Sequence, residues 1–226
     1  MISECAGIRM DVEGWYKWIV FLPNKGTGVG ALNRYYGLFD NGKLKVRGIE
    51  LRQHNTPEFL KNIQSSMLKV FSQADNAKEF QELIPDTLDV MLDYGKQIIR
   101  GSIDPHGLVF TTRISKSVTQ YKVNNLVKSA LLQLRDIGIN IEPGQSIHYV
   151  VTDERSRDYK ERVCVTELLT DSVEVDVDFY LRQVAKSGES ILIPFGYTLE
   201  KLESMLRKIR YREKVNVSVL PRVRTC

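Results

Sequence analysis

Cysteine is scarce and follows no pairing pattern. Cys5, Cys164 and Cys226 are odd in number and far apart, no Cys-x-x-Cys occurs, and only His54, His106 and His148 stand by to assist them. This argues against a disulfide framework and a zinc site, and for a reduced, intracellular protein that binds no metal of its own. No apolar run approaches the roughly 20 residues that cross a bilayer, and no signal-peptide pattern opens the chain, so cytoplasm without a membrane partner is the expectation. An excess of one charge is also lacking, since 32 basic and 28 acidic side chains leave a net charge of +4. Motifs for chemistry are missing too. There is no Gly-x-Ser-x-Gly elbow, no phosphate loop closed by Lys-Ser or Lys-Thr, and no cysteine with a recognisable activating partner. Each histidine reads as structural or superficial.

What is present is enough hydrophobic sequence, 42% of the chain, for a buried core, together with charge that is segregated along the chain. Residues Gly14 to Arg52 carry seven bases against Asp40 and Glu50, and Arg207 to Arg224 carry seven against Glu213 alone. Asp75 to Asp93 has six acids and only Lys78. Such segregation serves either solvated helix faces or local contact with nucleic acid.

Gly14 to Leu22 (GWYKWIVFL) is aromatic and β-branched and stops at Pro23, which predicts a buried strand. The cluster Gly26-Thr27-Gly28-Val29-Gly30 has the spacing of a nucleotide loop, but Ala31 to Phe39 reads as a strand where such a loop needs a helix, so a hairpin connection is the better reading. Asn41-Gly42 between two extended runs predicts a second hairpin through a type I′ turn, and hence a β-meander. On that hairpin Lys43, Lys45 and Arg47 form one row while Leu44 and Val46 face the other way. A solvated face or a phosphate backbone would each suit the row.

From Thr56, as N-cap to a helix opening at Pro57, the period becomes helical, with Phe59, Leu60, Ile63, Met67, Val70 and Phe71 on one face. A second helical stretch covers Asp75 to Arg100, broken or kinked at Pro85 and stopped by Gly101. Leu108 to Ile114 is extended, Val123 to Ile137 is helical with Gly138 after it, and Ser146 to Val151 alternates as a strand. Helices follow from near Asp176 and from Thr198 to Arg210. Asp176-Val177-Asp178 could be taken for a metal pair, but carboxylates at a helix start more often cap free N–H groups. Asp86 and Asp89 belong on a solvated helix face. The fold class is α+β: a small antiparallel sheet over 1–55, a mostly helical domain over 56–210, and a basic tail over 211–226 without a periodicity of its own.

These segments resemble family B DNA polymerases of archaeal type. Trp18 to Leu22, Asn33-Arg34-Tyr35-Tyr36-Gly37-Leu38, Asp40-Asn41-Gly42-Lys43 and Val46-Arg47-Gly48-Ile49-Glu50 are similar to the family's palm just after its catalytic centre. Arg113-Ile114-Ser115-Lys116, Gln120-Tyr121-Lys122, Pro143-Gly144, Tyr149-Val150-Val151, Asp178-Phe179-Tyr180 and Phe195-Gly196-Tyr197 follow in the order of its thumb. The resemblance runs from about Ile2 to Arg210. Asn33 stands where many relatives have the lysine of Lys-x-Tyr, and Gln53-His54-Asn55 where Arg-Arg-Asp is usual.

The resemblance implies contacts to primer-template duplex DNA from Asn33, Arg34, Tyr35, Lys43, Lys45 and Arg47, and at the strand exit from Arg52, Gln53 and His54. In the thumb it implies Ser115, Lys116, Tyr121, Lys122 and Asn124. The family's metal-binding Asp-x-x-Ser-Leu-Tyr-Pro and Asp-Thr-Asp-Ser motifs and its nucleotide-binding Lys-x-x-x-Asn-Ser-x-Tyr-Gly are absent from the sequence. The implied protein is the small subunit of a split polymerase. It would be inactive alone, holding DNA for a larger catalytic subunit that carries the Mg2+. A stand-alone nucleic-acid-binding module and a fragment of a single-chain polymerase are the alternatives.

Overall fold

The computed structural model describes residues 12–24 and 28–219. Three antiparallel strands, β1 (Tyr16–Pro23), β2 (Gly30–Phe39) and β3 (Leu44–Arg47), form a meander in the order β1-β2-β3. Alternation sends Trp18, Leu22, Tyr36 and Leu38 into the core, with Leu44 and Val46 half-buried behind them. The β1–β2 connection is a hairpin, as the extended run after the glycines predicts. Its Asn24 N–H donates to Val29 O at 2.7 Å, while Lys25, Gly26 and Thr27 lie outside the described residues.

The second hairpin turns differently from the expected type I′. Only Gly42 has a positive φ (79°), and no non-glycine residue among those described does. The Gly42 N–H donates to Phe39 O, the Phe39 N–H donates to Lys43 O, and the Asn41 carboxamide accepts from the Lys43 N–H at 3.0 Å. The result is a three-residue loop, a type I turn followed by one left-handed residue, so Asn41 need not leave the right-handed region.

Beyond the sheet, α1 (Glu58–Phe71) begins one residue later than expected, with Pro57 rather than Thr56 at the N-cap. Pro85 separates α2 (Ala77–Glu82), capped by the Asn76 side chain, from α3 (Ile84–Arg100), which Gly101 closes at φ 63°. A proline tolerates the first turn and breaks what precedes it. A second sheet of β4 (Phe110–Arg113), β5 (Ser146–Val151) and β6 (Val163–Val165) follows, in the order β4-β5-β6. The helices α4 (Leu126–Asp136) and α5 (Tyr159–Arg162) interrupt it. The chain ends in α6 (Val177–Leu192) and α7 (Leu199–Val219). The helix α4 starts after Val123, which is exposed, because Asn125 caps it; α7 continues past Arg210, so 211–219 is helical, and 220–226 lies outside the described residues.

One continuous core joins the meander to the helices. Its centre is α6, packed against α1, α3 and α7 through a face that includes Ala185, Ser187, Gly188 and Ser190. Two buried tyrosines fasten the sheets to their surroundings. Tyr36 donates to Ile191 O at 2.9 Å, and Tyr180 donates to Leu108 O while accepting from the Val151 N–H. Burial raises both phenols far above the ordinary range, so both remain neutral donors.

Where β3 leaves the sheet, Gly48 sits at φ 70°, and an added Cβ would lie 2.3 Å from the Asn33 carbonyl oxygen. Gly48→Ala therefore combines a left-handed penalty with a backbone clash. It is expected to lower unfolding free energy by more than about 2 kcal/mol, read as a shifted midpoint in urea denaturation.

Candidate nucleic-acid interface

The helices cover one face of the meander, and the other face carries the charge. Residue pairing across the strands places Phe21, Tyr35 and Arg47 in one cross-strand line, and Ile19, Gly37 and Lys45 in the next. The Phe21 and Tyr35 rings lie 5.8 Å apart, and Phe21 is half exposed (50%) although large and apolar. Gly37 leaves room for Tyr16, whose ring would meet a Cβ there at 2.9 Å and instead stacks on Phe39 at 4.3 Å. Partial burial, and the Tyr35 hydroxyl beside it, hold the Tyr16 phenol above its usual value.

The expected basic row is present. Lys45 bonds and ion-pairs with Glu13, and this contact, with the added fields of Lys45, Lys43 and Arg47, pulls the Glu13 carboxyl below the usual carboxylate range. Alternation along β3 places Lys45 and Arg47 on a common side. Arg52 and Lys43 line an open groove between β3 and α1, with Leu51 and Ser65 in its floor. Gln53 and His54 are exposed in the segment that follows.

Arg34 is turned elsewhere. A bulge sets four residues of β2 (Ala31 to Arg34) against one of β1 (Leu22). Within it Arg34 swings to the helix side, lining a cleft with Ser190, Ile193 and Leu199 and donating from Nε to Gly48 O at 3.1 Å. Asn33 and Leu32 are exposed on the same bulge, Leu32 at 85%. Bulges re-aim side chains in this way. Arg34 and Tyr35, adjacent in sequence, therefore serve different sides of the strand.

The strand exit is held by a polar hub that the sequence reading missed. The Glu50 carboxylate accepts from Gln64 Nε2 at 2.7 Å and from Ser190 Oγ at 2.9 Å. The same Gln64 amide accepts from the Leu51 N–H and donates to Ser187 O. Gln64 is fully buried, so each of its bonds matters more than one at the surface. A lone glutamine on an apolar helix face was the available signal.

The second predicted group occupies the loop from β4 to α4. Ser115, Lys116, Lys122 and Asn124 are exposed, and Tyr121 packs against the core. A reciprocal capping box between Ser117 and Gln120 shapes this loop, and Arg162 donates to the Asn124 carbonyl at 2.6 Å. Among the described residues no hydrogen bond or ion pair joins this group to the first. They are separate surfaces on separate sheets.

Among the described residues, carboxylates for a metal pair are not assembled on the meander's charged face, where Glu13 is committed to Lys45. Asp176 caps α6 by accepting from the Phe179 N–H, and Asp178 pairs with Arg210, as the capping reading expects. Asp86 and Asp89 are exposed on α3. Among the described residues, the donors on that face do not fit a two-metal centre.

The comparisons with known proteins agree with this geometry. A family model described as DNA polymerase family B matches residues 3–195. The chain belongs to DNA polymerase family B. It is 26% identical over 207 residues to DNA polymerase 1 of Saccharolobus solfataricus, covering 91% of this chain and 22% of that one. It is 24% identical over 202 residues to a DNA polymerase of Pyrococcus horikoshii, covering 88% and 15%. The fold is shared with the family B DNA polymerase from Pyrobaculum calidifontis at a TM-score of 0.62 and 21% identity, over 84% of this chain and 23% of that one. The chain spans less than a quarter of the length of these relatives.

Glu50→Gln in this family B chain would present an N–H donor to groups that are themselves donors. It is expected to cost about 1–3 kcal/mol, measured by chemical denaturation, even though the two side chains have nearly the same shape.

Proposed function

We propose that this chain is the duplex-holding subunit of a split family B polymerase, completing the palm and forming the thumb for a larger subunit that carries the catalytic carboxylates. The observation that carries the reading is the polarity of the meander. One face is sealed by the chain's own helices, and the other sets Lys43, Lys45 and Arg47 beside Tyr16, Phe21 and Tyr35. Cations and flat side chains on a rigid strand surface suit a sugar-phosphate backbone, whose recognition is positional and independent of sequence.

Phosphoryl transfer needs a primer end held in line and metal ions that stabilise the developing charge. On this reading the present chain supplies the first. Arg47 and Lys45 neutralise backbone phosphates, Tyr35 lies against the duplex near the primer end, and the β4–α4 loop with Lys116 and Lys122 closes on the duplex farther along. Arg34 acts from behind, bonded to the carbonyl where β3 ends. The Mg2+ ions belong to the partner, whose motifs this sequence lacks. Trp15, 74% exposed, is the apolar side chain that such a partner would cover.

The reading has direct tests. The purified chain should incorporate no nucleotide, and mixing with a family B chain bearing the missing aspartate motifs should restore extension and tighten duplex binding; incorporation by this chain alone would end the proposal. Arg47→Ala should lower the slope of log affinity against log salt by about one, and Tyr35→Ala should slow primer extension, with subunit association unchanged in both by gel filtration. Glu13→Gln, which frees Lys45, is expected to tighten duplex binding several-fold at low salt, measured by fluorescence anisotropy.

A further inference from the structure

The helix α7 has a side that the polymerase reading does not use. Leu202 and Leu206 are buried on its inner side, where Arg210 pairs with Asp178 and Glu213 with Arg100. The outer side carries Ser204, Arg207, Lys208, Tyr211 and Arg212, which line a single shallow hollow and are all exposed. Their spacing of three, four and seven residues keeps them on one stripe, about 6 Å of helix for each four residues. Tyr211 is 72% exposed, a large ring left in water on a helix whose apolar side is already satisfied.

The electrostatics of this stripe are one-sided. Arg207 pairs with Glu203 at 3.3 Å, whereas among the described residues Lys208 and Arg212 enter no ion pair. Arg155, reaching in from the loop after β5, shares a second hollow with Arg207, and it too enters no ion pair among the described residues. The other charges bordering that hollow, Glu203, Asp178 and Arg182, are already paired with Arg207, Arg210 and Glu154.

We infer that the outer stripe of α7 is a second nucleic-acid site, for a single strand, with a base stacked on Tyr211 and phosphates held by Arg207, Lys208 and Arg212. An aromatic face flanked by cations is the chemistry that sequence-tolerant single-strand binding uses. A duplex hides its base faces, so it offers this ring nothing to stack on. A protein partner would call for a charge-poor apolar centre, and here the ring is ringed by cations. The site shares no residue with the charged face of the meander, so it stands or falls independently of the duplex reading.

The test is fluorescence anisotropy of the 226-residue chain with labelled oligothymidylate and oligouridylate of about twelve nucleotides, and with a duplex of the same length. Tyr211→Ala is expected to weaken single-strand binding about tenfold and leave duplex binding unchanged, while Tyr211→Trp retains affinity and its fluorescence is quenched on binding. The double variant Arg207→Ala, Arg212→Ala should lower the salt slope by about two. Preference for one oligonucleotide over the other assigns the strand as DNA or RNA. Unchanged single-strand affinity in Tyr211→Ala, or an equal loss of it in Arg47→Ala, overturns the inference. Tyr211 is exposed, so its variants keep the fold, and thermal denaturation of each variant checks it.

Discussion

Close packing along α6 is the constraint on which the molecule depends. A Cβ on Gly188 would lie 2.2 Å from Met91 Sδ, and one on Gly95 of α3 would lie 2.3 Å from a Leu206 methyl. Helices approach this nearly only where side chains are missing. The small residues of α6 also expose its backbone carbonyls to neighbours, and two of those carbonyls are used. Ile191 O receives Tyr36 from the meander and Ser187 O receives Gln64 from α1. The charged face of the sheet is thus oriented by a helix some 150 residues later in the chain, which is why the meander does not hinge freely on the helical part.

The division of labour within the meander follows from the period of a strand. Trp18, Leu22, Tyr36 and Leu38 are committed to burial on the helix side, and Tyr35, Lys45 and Arg47 on the other side are free to be chosen for charge and ring surface. Lys43, Lys45 and Arg47 carry like charges at close spacing, and Glu13 relieves part of that repulsion. The same carboxylate competes with any phosphate for Lys45. A basic row with its own counter-ion binds an anion less tightly than it would bare, and releases it more readily.

Much of this was legible before the structure. The buried strand around Trp18, the break at Pro85, the stop at Gly101 and the cap at Asp176 each follow from one local rule. What escaped has a common cause, that it depends on partners distant in sequence. The strand β6 is three residues long and exists because β5 offers it an edge. Glu50 looked like a charge in a binding motif, and its role as a hub appears only when Gln64 and Ser190 arrive. The direction of Arg34 is set by a bulge whose extra residues no pattern of period two can register. The last turns of α7, 211–219, were read as a tail because polar residues outnumber apolar ones there, leaving helical periodicity nothing to show itself by.

The bulge in β2 has an evolutionary corollary. Because surplus residues are absorbed between the Pro23–Gly30 and Phe21–Tyr35 pairs, a change of length beyond the bulge need not shift the register of the rungs below it. Insertions or deletions at the tip would alter its length without sliding Tyr35 off Arg47. Descendants of this chain are therefore free to remodel that loop, for a new neighbour or none, while the geometry beneath it stays inherited.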